Sequence, residues 1–378
     1  MRFSLHSLNA FGFHISIKKA LAEFGDKGRL ALVKELSQMS SKNVFKPIAY
    51  LSLSEQQLKS ALPSLAFLKQ KFKADGTQDK VKARLVAGGH KQDRSLFEDV
   101  GSPTANITNI FTEAAIAAST NKIILTADVG AAYLNAPMEG EEVLMKLQPP
   151  LSDIMMELHP EYEQFVDPRS GIIVVKLLRA LYGCVQSAKL WYQHLRATLE
   201  SHGFVANRYD ECIFSKGDGE TTITLIIYVD DLMIIASSQK VADEFIDDLQ
   251  RHYKEINVSH GNNHSYLGMN FNFQNGKVAI TMKNYIDNIL SSHNVSGHAL
   301  TPASSDFFSP KSSELLSPVD QKRMHTSVAQ LLYLGTRVRP DILLVVNYFT
   351  PIHQRRQGET QSMPEVSPYL FLNQNFKS

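Results

Sequence analysis

Carboxylates that converge on one point can hold a divalent cation against substrate phosphates, and two stretches of this chain set acids where strands should end. The run IIYVDDLMII, Ile226 to Ile235, places Asp230 and Asp231 in the middle of β-branched and aliphatic residues. It reads as two short strands with the acids at the tight turn between them. A hairpin tip also takes aspartate for local reasons, because the side chain satisfies nearby backbone. A partner carboxylate elsewhere separates the two readings, and KIILTADVGAAYLNAPM supplies one. Ile123, Ile124 and Leu125 read as a buried strand with Asp128 near its C-terminal end. The glycine and alanines that follow allow close approach of a ligand, and Tyr133 comes directly after them.

The elements around these acids must bring them together. An early helix is expected from Ser16 to Gly25 and a second from Gly28 to Met39, with Leu32, Val33 and Leu36 on or near one face. Asn43 to Ser64, with Pro47 and Pro63, reads as an irregular approach. Phe67 to Gln92 reads as a hairpin turning at Asp75-Gly76, and it is crowded with Lys69, Lys71, Lys73, Lys80, Lys82, Arg84 and Lys91. Most of these cations suit a solvated face. Lys82 and Arg84 share one side of a strand, because side-chain direction alternates, and they are placed to meet phosphates.

A helix is expected from Asn109 to Ser119, and Glu139 to Asp167 reads as hairpin and loop. A helix after Gly183 carries Leu190, Trp191, Leu195 and Leu199, with Trp191 and Tyr192 read as core. Asp243 to Tyr253 is an amphipathic helix, Asn275-Gly276 a type I′ hairpin turn, Lys283 to Leu290 a helix, Ser304 to Pro318 a loop, and Lys322 to Thr336 a helix. The order gives an α+β fold in which an acidic strand end and an acidic hairpin tip can lie on adjacent strands.

Bulk composition does not announce a partner. The 378 residues carry 39 basic and 38 acidic side chains, a formal charge of +1, so any affinity for nucleic acid has to come from local distribution. Cys184 and Cys212 are the only cysteines, which argues against a disulfide scaffold and a four-cysteine zinc site. No apolar stretch reaches the length of a membrane span. An intracellular setting is expected, in cytoplasm or nucleus, with no membrane association.

Several strings, in order, resemble the reverse transcriptase of copia-type retrotransposons. They are VKARLVAGG at 81 to 89, SPT at 102 to 104, ADVGAAYLNA at 127 to 136, KLLRALYGCVQSAKLWY at 176 to 192, YVDD at 228 to 231, YLGM at 266 to 269 and RPDI at 339 to 342. The resemblance implies a right-hand polymerase-like palm with fingers and a partial thumb and connection. It implies that Asp128, Asp230 and Asp231 are the catalytic carboxylates, with Asp128 and Asp230 the main metal ligands, Asp231 more peripheral, and the Val129 backbone helping to hold metal. Tyr133 matches an aromatic gate beneath the incoming sugar. Lys82 and Arg84 match a fingers strand over the triphosphate, and Tyr182, Gly183 and Gln186 the loop beneath the nucleotide. Tyr266, Leu267, Gly268 and Met269 match a grip on the primer.

By the same resemblance the cofactor is Mg²⁺, or Mn²⁺ in its place. The partners are an RNA or DNA template, a DNA or RNA primer and deoxynucleoside triphosphates, with no expectation about oligomeric state. The domain division implied is 1–64 as an extension leading into the fingers, 65–282 as fingers and palm, 283–348 as thumb and start of connection, and 349–378 as an unmatched tail without a defined fold. The tail and the lack of a recognisable ribonuclease H domain suggest a truncated polyprotein fragment. The alternative function is a catalytically inactive nucleic-acid-binding relic.

Overall fold

A computed structural model describes residues 17–72, 78–97, 99–295, 301–303 and 317–354. Helix α1 (Ile17–Ser41) buries Leu32, Leu36 and Met39 along one face at helical spacing. It breaks at Gly25, whose φ of 52° lies in the left-handed region, so the two helices expected there run end to end. The stretch expected to be irregular instead holds strand β1 (Phe45–Ile48) and helix α2 (Glu55–Ser60). Pro47 is tolerated because β1 is an edge strand, and α2 starts on a capping box between Ser54 and Gln57.

Strands β2 (Leu62–Phe72) and β3 (Gln78–Ala87) pair antiparallel with Lys69 opposite Lys82 and Phe67 opposite Arg84. The Asp75-Gly76 turn and Lys73 lie outside the described residues. Helix α3 (Ile107–Ser119), capped by Asn106, leads to β4 (Ile123–Val129). Between Glu139 and Asp167 the hairpin-and-loop reading fails. Strand β5 (Leu144–Leu147) and helix α4 (Leu151–Leu158) stand there, each too short for its period to show, yet anchored by the buried Met145, Leu147, Leu151 and Met155.

Strand β6 (Ile173–Leu177) is followed by α5 (Ser187–Ser201), whose Trp191, Tyr192, Leu195 and Leu199 are buried. Next come β7 (Val205–Ala206), β8 (Ile213–Lys216), β9 (Ile223–Tyr228), β10 (Asp231–Ala236), α6 (Gln239–His252) and β11 (Ile256–Ser259). A meander of β12 (Asn263–Tyr266), β13 (Met269–Gln274) and β14 (Lys277–Thr281) turns at Asn275-Gly276, where both φ angles are positive as a type I′ turn requires. Helices α7 (Lys283–Ser292), α8 (Pro318–Gly335) and α9 (Leu343–Gln354) complete the described chain. The loop expected from Ser304 falls largely outside the described residues. Helix α9 continues past Tyr348, where no defined fold was expected, because Val345 and Val346 anchor it in the core.

Among the described residues the strands form three sheets, ordered β1-β6-β5-β2-β3, β11-β4-β10-β9-β8-β7 and β12-β13-β14. The first sheet and α1 share one apolar core through Leu36, Leu85, Met145 and Val175. The second shares another with α3, α5, α6 and the later helices, through Ile110, Leu125, Trp191, Ile234, Leu249 and Leu331. This is the mixed α+β architecture expected. No helix among the described residues is long and apolar enough to cross a membrane.

Candidate active site

Strand β4 lies between β11 and β10, so its C-terminal end has a neighbour on each side. In the β4–β10 ladder Asp231 is directly opposite Asp128, and the Val129 N–H donates to the Asp230 carbonyl at 3.0 Å. On the other side Asn257 of β11 faces Asp128. The turn joining β9 to β10 is tight, and Val229 sits in it at a φ of 60°, a conformation costly for a β-branched residue. The indole Nε1–H of Trp191 holds it there by donating to the Val229 carbonyl at 2.6 Å. Such a strained residue, fixed from behind by a buried ring, is the kind of feature found where a backbone must aim a functional group.

Charge at this edge is unfavourable as it stands. Burial raises the Asp230 carboxyl above the ordinary aspartate range, and Asp128 raises it further, while a hydrogen bond from its own N–H, Arg84 and Lys82 oppose the rise. The Asp231 carboxyl is pushed up to about 6, first by burial and then by Asp230 and Asp128. Asp128 and Asp230 line a cleft of about 220 Å³ together with Lys82, Arg84 and Tyr182. Among the described residues no three His, Cys, Asp or Glu side chains stand close enough to hold a metal by themselves. A magnesium site needs no such cage, since it is commonly one or two carboxylates completed by water and substrate phosphates. Two acids, one of them desolvated and repelled by the other, facing two cations across a cleft fit that pattern.

The residues expected to touch a nucleotide divide into two groups. Arg84, Tyr182 and Tyr133 form a continuous stack: the Arg84 guanidinium carbon is 4.2 Å from the Tyr182 ring centroid, and the Tyr182 and Tyr133 centroids are 4.4 Å apart. Burial lifts the Tyr182 hydroxyl to about 12 and raises that of Tyr133, so both are neutral donors. Tyr133 stands on a short 3-10 turn entered through Ala131, whose φ of 51° swings the chain away from β4. Gly183 is exposed beside this stack at a φ of 92°, and a Cβ there would lie 2.1 Å from the Ala87 carbonyl oxygen. That close approach pins the loop to the end of β3, helped by the Ala87 N–H donating to the Tyr182 carbonyl at 2.8 Å.

Gln186 does not belong with them. It is buried, accepts from Gln92 Nε2 at 3.1 Å, and turns its own amide toward Met138 Sδ, so it supports the loop from inside. Burial divides the grip expected over 266–269 in the same way. Tyr266 and Met269 are buried, and the Tyr266 hydroxyl donates to the Ile226 carbonyl at 3.3 Å. Only Leu267 and Gly268, at the turn between β12 and β13, reach the surface, and the Tyr333 hydroxyl donates to the Leu267 carbonyl at 3.1 Å. Alternation explains the division, since residues on either side of a two-residue turn point into the core.

Residues 56–303 match the family described as reverse transcriptase (RNA-dependent DNA polymerase). The chain belongs to this reverse transcriptase family. Its relatives are copia-type Pol polyproteins. It is 27% identical over 310 residues to the retrovirus-related Pol polyprotein from transposon RE1 of Arabidopsis thaliana, matching 80% of this chain and 20% of that protein. It is 27% identical over 254 residues to the putative transposon Ty5-1 protein YCL074W of Saccharomyces cerevisiae, matching 66% of this chain and 76% of that protein. The chain thus spans about a fifth of the Arabidopsis polyprotein. Among solved structures, the foamy viral protease-reverse transcriptase in complex with double-stranded DNA covers 91% of this chain and 46% of its own, with 12% identity and a TM-score of 0.46.

Reverse transcriptases work with divalent metal ions, and the acidic edge described above is where this chain offers carboxylates. Four polar residues of the cleft escaped the reading of the sequence: Glu35, Gln38, Glu255 and Asn257. The Gln38 amide donates to both carboxylate oxygens of Glu255, at 3.1 and 3.0 Å, so α1 reaches the residue just before β11, beside β4. One signal was present: Glu35 sits between Leu32 and Leu36 on the apolar side of α1, where a charged residue needs a partner.

Proposed function

We propose that this chain is an RNA-directed DNA polymerase domain of a copia-type retrotransposon. It would add deoxynucleotides to a primer 3′-hydroxyl on an RNA or DNA template. The observation that carries the reading is the β4–β10 register, which sets Asp231 opposite Asp128 while Asp128 and Asp230 share a cleft with Lys82 and Arg84. Asp128 and Asp230 would hold Mg²⁺, or Mn²⁺ in its place, with Asp231 and the Val129 backbone at the margin. The bound ions would ease formation of the attacking alkoxide and neutralise the pyrophosphate that leaves. Lys82 and Arg84 would bind the triphosphate as fixed cations, and the Tyr133–Tyr182 stack would support the sugar. Leu267 and Gly268 would meet the primer through backbone, held by Tyr333. The fingers and palm would lie within 65–282 and the thumb within 283–348.

Extension of a primed RNA template by the purified chain, with deoxynucleotides and Mg²⁺, tests the proposal directly. Labelled product should lengthen with time and stop when the metal is chelated. Salt-sensitive binding to an RNA/DNA hybrid without any extension would instead identify the inactive relic.

The electrostatics predict a second behaviour. Because the folded Asp231 carboxyl lies near 6, above its unfolded value, the metal-free folded state holds more protons than the unfolded state between about pH 4 and pH 6. The Asp231 contribution to stability is therefore full below about pH 4 and is lost as pH rises through about 6. Mg²⁺ should raise the unfolding temperature more at pH 7 than at pH 4. Thermal melts across that range, with and without Mg²⁺, check the sign. A magnesium effect of the same size at both pH values would sink it.

A further inference from the structure

Helix α1 precedes the family-matched residues 56–303, yet it forms one wall of the cleft through Glu35, Gln38 and Met39. Strand β3 is the edge strand of its sheet, with β2 on one side only. Edge strands leave backbone donors without a ladder partner. At Leu85 that donor is covered, because its N–H donates to Glu35 Oε1 at 2.8 Å. Leu85 directly follows Arg84 and stands three residues after Lys82, so this bond holds the part of β3 that presents both cations.

The same carboxylate also acts through its charge. Glu35, Lys82 and Arg84 line one cleft, and the two cations oppose the effect of burial on the Glu35 carboxyl. A triphosphate entering beside Lys82 and Arg84 would meet that negative charge as well. The bond and the charge thus have opposite consequences for a nucleotide: the first orders the binding strand, and the second weakens the field the strand presents.

Resting on the polymerase reading, we propose that Glu35 is a positioning residue of the triphosphate subsite, which aligns β3 through the Leu85 N–H and lowers nucleotide affinity by partly neutralising Lys82 and Arg84. Glu35→Gln separates the two roles, since glutamine keeps an acceptor for Leu85 but carries no charge. Glu35→Ala removes both.

The test measures deoxynucleotide affinity in a complex of the full chain with a dideoxy-terminated primer on its template. KM and kcat on an extendable primer and amide exchange at Leu85 accompany it. Glu35→Gln should tighten nucleotide binding by roughly two- to fivefold, the range of a partly exposed charge interaction, and lower KM with kcat unchanged. Leu85 should stay protected in Glu35→Gln and exchange faster in Glu35→Ala. A residue with a purely structural role would not tighten binding when changed. Unchanged or weaker binding in Glu35→Gln overturns the charge role, and unchanged Leu85 exchange in Glu35→Ala overturns the positioning role. Failure of the wild-type chain to extend a primer would reject the polymerase reading, while the exchange at Leu85 would still judge the contact.

Discussion

Asp128→Asn and Asp230→Asn should each reduce primer extension by about a thousandfold, the kinetic equivalent of losing about 4 kcal/mol of transition-state stabilisation. Asparagine keeps the size of the side chain but removes the charge that a divalent ion needs most, so shape alone should not rescue either variant. Asp231→Asn should lose far less, because Asp128 and Asp230 line the cleft and Asp231 is not among the residues that do. Stability should move the other way. Asp230 and Asp231 are desolvated and repel Asp128, so neutralising either one should raise the unfolding temperature of the metal-free protein. A fall in activity together with a rise in stability is the signature of a site held against its own electrostatics. Single-turnover extension and thermal melts on the same preparations measure both. Full activity in Asp128→Asn or Asp230→Asn would remove that residue from the chemistry. Lost activity with lost stability would return it to a structural role.

The acids were legible in the sequence for a simple reason: Asp128 and Asp230-Asp231 interrupt apolar strand runs where burial alone would not put them. The YVDD hairpin was legible too, but its turn is Val229-Asp230, and Asp231, expected in the turn, already opens β10 opposite Tyr228. What no local pattern carries is the pairing of β10 with β4, which joins Asp231 to Asp128 across a long stretch of chain. The stack of Arg84, Tyr182 and Tyr133 is equally invisible, since its three members come from three segments. Strand β5 and helix α4 were missed because four and eight residues do not establish a period against a background of loop-like acids. Gln186, Tyr266 and Met269 are buried for a reason that motif position does not carry. Motif position says which segment approaches a ligand, whereas the alternation of side chains decides which members of the segment face it. Glu35 stands at the opposite pole: its helix was expected, but the backbone donor it covers belongs to an edge strand that only the sheet order reveals.

Tyr133→Ala should raise ribonucleotide incorporation relative to deoxynucleotide incorporation by about 10- to 100-fold, the range a single lost steric contact can give. Base pairing is the same for matched ribo- and deoxynucleotides, so the discrimination must come from contacts at the sugar. Tyr133 is half-buried, five residues beyond Asp128, and its ring is fixed by Tyr182, which is itself fixed by Arg84. A ring braced in this way would resist a 2′-hydroxyl pressing on it, and bracing would make the aromatic side chain a steric filter. Its removal also frees Tyr182 and loosens the nucleotide, so total activity with deoxynucleotides should fall while selectivity falls further. Tyr133→Phe should keep the selectivity, because the phenyl ring retains both the bulk and the contact with Tyr182. The quantity to measure is the ratio of kcat/KM for matched deoxy- and ribonucleotides in single-nucleotide extension, with folding checked by urea unfolding. If Tyr133→Ala polymerises, stays folded and keeps the wild-type ratio, Tyr133 is packing, and the sugar is sensed elsewhere in the cleft.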